Sequence, residues 1–276
     1  MIANAFDYTA PATLQEALGL LADGSAKVLS GGMSLIPMMK LRLASPEHIV
    51  DIGRLAELNF IREDNDGIHI GAAVTHYEVE TAPLLRAKCP LLAETATFIG
   101  DIQVRNRGTI GGSIAHADPA ADYPAALQAL EAKIVLKSAS GERTIAVDEF
   151  FIDTFTTALE PGEIVSEIIV PIDGAAIGSS YQKFVQPASG FAIVGVAARI
   201  GKGLARIGVT GLAGRPFRAL ATEKALLNGA DPRAAAALVA EGIEAGSDLH
   251  ASAIYRTSLA VTYAVKAIAT AQSRSV

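Results

Sequence analysis

The sequence predicts an α+β protein, on three observations. The first fifty residues read as a β-α-β-like unit with glycines between strand and helix, and the middle of the chain carries two hairpin patterns. In the last third, three strand-like runs precede a series of helices.

Residues 13–23 (TLQEALGLLAD) place Leu14, Ala17, Leu18 and Leu21 on one helical face, and Thr13 and Glu16 have capping-box spacing. The stretch AKVLSGG predicts a short buried strand running into a glycine turn. A helix is expected over 34–44, with Ser34 as N-cap and Pro37 tolerated in its first turn. HIVDIG (48–53) is a second strand. Residues 59–74 predict a hairpin around Asp66-Gly67, and Thr75 with Glu78 forms another capping box. An apolar-striped helix follows Pro90 over 90–100. DPAADYPAALQAL (118–130) predicts a helix with acidic residues at its start, and 133–147 a hairpin. The strand 163–171 ends at proline, and the glycine-containing DGAAIGSS after it is the best boundary. Three domains are expected: 1–53, 54–173 and 174–276. The last holds strand-like runs YQKFVQ, FAIVGVAARI and ARIGVTGLAG, then helices over 219–228, 232–245 and 252–271.

Composition narrows the function. The chain has 276 residues, half of them hydrophobic and 19% charged, which suits a compact globular protein rather than disordered arms. A net charge of −6 disfavours nucleic acid, which normally needs a basic face. The one cysteine, Cys89, can form no intramolecular disulfide and cannot by itself hold an iron–sulfur cluster or structural zinc. It reads as a small apolar residue ahead of Pro90. The first residues lack the basic and apolar regions of a signal peptide, and no window reaches membrane-spanning length, so the expected location is the cytoplasm.

Familiar nucleotide motifs fail. There is no Gly-x-Gly-x-x-Gly after a strand, and GVAARIGKG (195–203) has P-loop spacing one residue too long, with Gly203 where a Ser or Thr belongs. DNDG lacks the acidic residue that closes a calcium loop. His116, Asp118 and Asp122 offer one nitrogen ligand and no companion motif, so no metal site is assigned. His48, His69, His76 and His250 are given no chemistry.

Two glycine pairs remain, in LSGGMSL (29–35) and TIGGS (109–113). Consecutive backbone N–H groups in such turns form an anion-binding concavity. Gly31, Gly32, Met33, Ser34 and Leu35 lie at a strand-to-helix junction. Thr109, Gly111, Gly112 and Ser113 offer a second set of N–H groups and two hydroxyls. Facing one another, the two would hold a pyrophosphate from both sides, with Asp118 and Asp122 accepting from a ribose; the alternative is two independent tight turns.

LSGGMSLIPMMKLRLASPEHIVDIGRL (29–55), QVRNRGTIGGSIAHADPAADYPAAL (103–127) and YQKFVQPASGFAIVGVAA (181–198) closely resemble the signatures of the FAD-binding medium subunits of molybdenum hydroxylases. More narrowly, the chain looks like the carbon monoxide dehydrogenase type, and xanthine dehydrogenases carry a similar module. The resemblance implies a vanillyl-alcohol-oxidase-type fold, two subdomains clamping a non-covalent FAD, with a smaller C-terminal α+β domain. It carries pyrophosphate contacts onto Ser30, Gly31, Gly32, Met33, Ser34 and Leu35, and onto Thr109, Ile110, Gly111, Gly112 and Ser113. It makes Asp122 an acidic FAD contact, Ile99 and Val165 apolar neighbours of the flavin, and Lys183 a nearby cation; Lys183 reads equally as a solvated strand lysine. A cation there would raise the flavin potential. Met33 stands where relatives often have glutamine or histidine, so a side-chain hydrogen bond to the cofactor is lost.

The resemblance also implies partners: a small subunit with [2Fe–2S] clusters and a large subunit with the molybdenum cofactor, assembled as a dimer of heterotrimers. Electrons would pass through FAD to quinone or NAD. No side chain of this chain would be catalytic in itself, the flavin being the reactive group. The competing reading is a self-sufficient FAD oxidase or reductase with its own substrate pocket.

Overall fold

The computed structural model describes residues 2–275. Its first sheet has three parallel strands, β1 (Asp7–Thr9), β2 (Lys27–Leu29) and β3 (His48–Asp51), in the order β1-β3-β2. Helix α1 (Leu14–Leu21) packs Ala17, Leu18 and Leu21 inward and is capped by the Thr13 side chain, which accepts from Glu16 N–H. The Glu16 carboxylate accepts from Ala12 N–H rather than from the cap residue, so the predicted box is open on one side. Strand β2 is not buried as expected: Lys27 is exposed and Val28 and Leu29 are half-buried, because β2 is an edge strand. Helix α2 (Leu35–Lys40) is shorter than 34–44; it stops before Arg42, which has φ +60°, and Ser34 makes no side-chain cap.

The second sheet, in the order β4-β5-β10-β6-β7, forms the main core. Strands β4 (Ile61–Asp64) and β5 (Gly67–Gly71) make the first hairpin, with Asp64 opposite Gly67 and Asn65–Asp66 as the turn, one residue earlier than expected. The chain then runs through α3 (His76–Thr81), α4 (Pro83–Lys88), α5 (Pro90–Thr97), α6 (Ile102–Arg105), α7 (Ile110–His116) and α8 (Tyr123–Leu130). The capping box Thr75/Glu78 opens α3 with both reciprocal bonds present. Strands β6 (Lys133–Ser138) and β7 (Gly141–Ala146) form the second hairpin. A short helix α9 (Val147–Phe150) and the small hairpin β8 (Phe151–Asp153) and β9 (Thr156–Thr157) lead to the central strand β10 (Ile164–Val170).

The third sheet is antiparallel, β11 (Gly178–Val185), β12 (Ala192–Gly201), β13 (Leu204–Thr210) and β14 (Phe217–Arg218) in sequence order. Helices α10 (Leu220–Leu227), α11 (Pro232–Ala236) and α12 (Ala253–Arg274) follow. The helix predicted over 232–245 ends at Ala236 and gives way to turns, with Gly242 at φ +75°. Along α12, Leu259, Ala260, Ala264, Ala267, Ile268 and Ala271 form a buried stripe of mostly small residues, which lets the helix lie close on the sheet. Strands before helices in this segment are as expected, and the whole is an α+β architecture.

Helix α8 joins the parts. All eight of its residues are buried, between the main core and strands β12 and β13. Gly208 on β13 makes this possible, since a Cβ there would strike the Ala125 carbonyl.

Candidate functional site

The two glycine pairs are brought into contact. Ser30 Oγ lies 3.0 Å from Thr109 Oγ1. Gly31 is buried against the Arg107–Gly108 backbone, where any Cβ would collide with the Arg107 carbonyl. They are nevertheless different structures. In the first, Gly32 adopts φ +78° and turns the chain from β2 into α2. Among the described residues, the main-chain N–H groups of Gly32, Met33, Ser34 and Leu35 have no acceptor, while Gly32, Ser34 and Leu35 are half-buried and Met33 is exposed. Four unpaired donors in a row, within reach of solvent, are what an anion-binding nest requires.

The second pair is not a turn with free donors, and that expectation is corrected. Gly111 and Gly112 lie inside α7, whose N-cap is Thr109. Ile110 N–H donates to Val74 O and Gly111 N–H to Ala72 O, both at 3.0 Å. Gly112 N–H donates to Thr109 Oγ1 and Ser113 N–H to Thr109 O. Gly111 is a packing glycine, because a Cβ would overlap Ala72. Gly112 is exposed, and a Cβ there would meet only Thr109 Oγ1, at 2.9 Å. The second pair therefore supplies a bare backbone wall, beside the nest, rather than a second nest.

At the other end of α7, about 10 Å away at 1.5 Å per residue, a second polar group forms. Ala117 ends the helix in the left-handed conformation (φ +51°), and residues 118–121 lead to Asp122. Asp122 is 5% exposed; Tyr181 Oη donates to its Oδ1 at 2.5 Å and Lys183 Nζ to its Oδ2 at 2.9 Å. Burial raises the Asp122 carboxyl to about 6, against the opposing pull of Lys183 and Tyr181. The Lys183 side chain is 2% exposed, so it is a buried ion-pair partner and not a solvated strand lysine. Its ammonium also donates to Phe98 O at 2.8 Å, next to the half-buried Ile99. Ile99, Asp122 and Lys183 are thus brought together.

Val165 is not with them on the surface. It is 4% exposed, in the main core where β10 and β6 shift register, and offers almost no area for a ligand to touch. Asp118 is half-buried, and its Oδ1 accepts from Ala120 N–H at 2.8 Å. Cys89 is fully buried, its thiol pushed up to about 12 by burial, as an inert core residue would be.

Sequence reasoning missed Tyr181 and Gly195. Tyr181 Oη reaches Asp122 only because Gly195 on β12 has no side chain; a Cβ there would strike the hydroxyl. A glycine in an otherwise apolar strand was the available signal. His76 was also passed over. It lies under Gly108 and against Tyr123, with ring centroids 5.3 Å apart, and burial and Arg105 lower it to about 4, so it is neutral.

A run of unpaired donors beside an exposed glycine wall, with a buried charge pair one short helix away, has the chemistry to take an elongated, anion-bearing ligand. The comparisons state which. Residues 4–173 match the family model described as the FAD binding domain in molybdopterin dehydrogenase, and residues 179–271 match the CO dehydrogenase flavoprotein C-terminal domain. The chain belongs to this family of FAD-binding oxidoreductase subunits. It is 39% identical to the carbon monoxide dehydrogenase medium chain of Hydrogenophaga pseudoflava, over 99% of both chains. It is 40% identical to the glyceraldehyde dehydrogenase medium chain of Sulfolobus acidocaldarius, over 95% of this chain and 96% of that one. A solved structure of the Hydrogenophaga pseudoflava carbon monoxide dehydrogenase superposes with a TM-score of 0.94 at 41% identity, covering all of both chains. Quinoline 2-oxidoreductase from Pseudomonas putida 86 gives 0.91 at 32%, covering all of both chains.

Proposed function

We propose that this chain is the electron-transferring FAD subunit of a multi-subunit molybdenum hydroxylase. The observation that carries the site assignment is the run of unpaired N–H groups at Gly32–Leu35 beside exposed Gly112. In this reading Ser30, Gly31, Gly32, Met33, Ser34 and Leu35 hold the FAD diphosphate, with the hydroxyls of Ser30 and Ser34 as added donors. Thr109, Ile110, Gly111, Gly112 and Ser113 form the wall against which it lies; Gly112 permits close approach and the others hold the wall in place. Asp122 and Lys183 stand near the ring system with Ile99, and Val165 supports them from the core. Asp122 keeps unused acceptor capacity after its two bonds. The domain division is 1–53, 54–173 and 174–276, with the cofactor between the first two.

FAD, held without a covalent bond, supplies the redox chemistry when bound. The chain's own residues bind and orient it, and Lys183 places a fixed positive charge beside it. The Fe–S clusters belong to a small partner subunit and the molybdenum cofactor to a large one; this chain's single buried thiolate source could not ligate either cluster. Electrons enter from the [2Fe–2S] clusters and leave to an external acceptor such as quinone or NAD. The assembly is a dimer of heterotrimers, located in the cytoplasm; among the described residues no helix is long and apolar enough to cross a membrane.

The test is to purify the chain from its native source under mild conditions, record its absorption spectrum and identify any released chromophore. FAD released by acid, with two co-purifying subunits carrying iron and molybdenum, is the expected result. FAD with substrate turnover by the isolated chain would support a self-contained oxidase instead. No flavin after reconstitution would overturn both.

A further inference from the structure

Three carbonyls in succession, those of Pro119, Ala120 and Ala121, accept hydrogen bonds from the C-terminal domain. Gly211 N–H donates to Pro119 O at 2.8 Å and Ala192 N–H to Ala120 O at 3.2 Å. The Thr210 hydroxyl lies 2.9 Å from Pro119 O and 2.8 Å from Ala121 O, so its single proton is shared between them. The segment satisfies its own N–H groups locally: Ala120 N–H donates to Asp118 Oδ1 and Ala121 N–H to Asp118 O. Its carbonyls are held by the other domain.

The sheet register explains how. Lys183 on β11 lies opposite Gly195 on β12, and Gly195 lies opposite Thr210 on β13. Lys183, Gly195 and Thr210 therefore form one row across three strands. A Cβ on Gly195 would meet both Tyr181 Oη and, at 2.9 Å, Thr210 Cγ2. The bare position receives the tyrosine hydroxyl and sets the threonine beside it. Thr210 itself is 1% exposed, so bulk water does not reach its hydroxyl.

We propose that Thr210 is a positioning residue for the cofactor: through the Pro119 and Ala121 carbonyls it holds the segment that carries Asp122, and with it the Asp122–Lys183 pair, in register with the glycine wall of α7. It touches no part of the ligand. Its role is to transmit the geometry of the C-terminal sheet to a site built by the other domain. The inference rests on the FAD reading above.

The experiment uses the full chain, freed of flavin and titrated with FAD, and reads both affinity and flavin midpoint potential. Thr210→Val keeps the shape and removes the proton; it is expected to weaken FAD binding by about tenfold or more and to displace the potential. Thr210→Ser restores the donor and is expected to return both to wild-type values. Thr222→Val is the control, since Thr222 is fully buried in the same domain and its hydroxyl has no partner among the described residues; it is expected to change neither. Should Thr210→Val fail to fold, Thr210→Cys, with its weaker donor, is expected to fall between wild type and loss. A folded Thr210→Val, or in its place Thr210→Cys, with wild-type affinity and potential overturns the inference while leaving the flavin reading intact. A wild-type chain that binds no FAD overturns the flavin reading first. A Thr210→Ser as defective as Thr210→Val shows that the proton is not what matters, and also overturns it.

Discussion

The two glycine pairs look alike in sequence and do opposite things in the fold. Gly31-Gly32 ends an edge strand, uses a positive φ and leaves four donors unpaired. Gly111-Gly112 begins a helix whose donors are all taken by Val74, Ala72 and Thr109. In each pair one glycine is there for packing, Gly31 against Arg107 and Gly111 against Ala72. The lesson is that a repeated Gly-Gly reports close approach of backbone, and only the hydrogen-bond accounting tells which approach is to a ligand.

The contrast is sharpened first by the packing glycines. Gly111→Val forces a branched side chain onto the Ala72 backbone and is expected to cost about 3 kcal/mol or more, a large fraction of a typical domain's stability. Solubility and denaturant unfolding check it; a stable variant would mean that the two segments are not in contact.

Next in size is the far end of the same helix. Lys183→Met leaves the Asp122 carboxylate buried without its cation, which is expected to cost about 3 kcal/mol at pH 7.5. The folded-state Asp122 is already raised above its ordinary value, so the folded chain binds that proton more tightly than the unfolded chain does. Removing the lysine raises it further. The deficit relative to wild type is therefore full above the variant's raised value, shrinks as the pH falls from there to about 6, and is smallest below that, which parallel urea titrations at several pH values down to 5 would reveal. A deficit independent of pH would argue that the pair is not a charge pair.

Gly112→Val is smaller in stability but not in function. Valine is the better helix former and its side chain meets only Thr109 Oγ1, at 2.9 Å, so stability is expected to stay within about 1 kcal/mol, with FAD affinity down by at least tenfold. Equal flavin content in wild type and variant would remove the wall from the site. Smallest of all, Met33→Gln alters an exposed side chain and is expected to leave stability within about 0.5 kcal/mol. It adds a donor at the nest and is expected to shift the flavin potential by a few tens of millivolts at most, which redox titration would detect.

Much of this was legible in the sequence, for reasons that differ by element. The hairpins 61–71 and 133–146, the Thr75/Glu78 box and the three long C-terminal strands follow from alternation, turn residues and caps, which act locally. The strand at Asp7–Thr9 was not anticipated, because three partly exposed residues earn their pairing from β3 and not from their own pattern. The helix predicted over 232–245 ends at Ala236 although Val239, Ala240 and Ile243 still pack on the C-terminal core, and nothing in the structure explains why turns replace it there. Residues 30–35 and 109–113 were read as a pair, but the N–H groups of Ile110 and Gly111 are taken by Val74 and Ala72, distant in sequence. Tyr181 and Thr210 were invisible for the same reason, and Gly195 showed only as a glycine in an apolar strand: their roles exist only in the register of three strands against a loop of the other domain.

The central claim is that Gly32–Leu35 hold the diphosphate of FAD. The most direct measurement is a calorimetric titration of FAD into the flavin-free chain, for wild type and for Gly32→Val. Valine at φ +78° is strained by about 1–2 kcal/mol, which turns the nest without reaching the main core. Stoichiometric binding to wild type and a loss of about a hundredfold or more in the variant is the predicted result, with thermal unfolding showing both proteins folded. Equal affinity in the two would contradict the account.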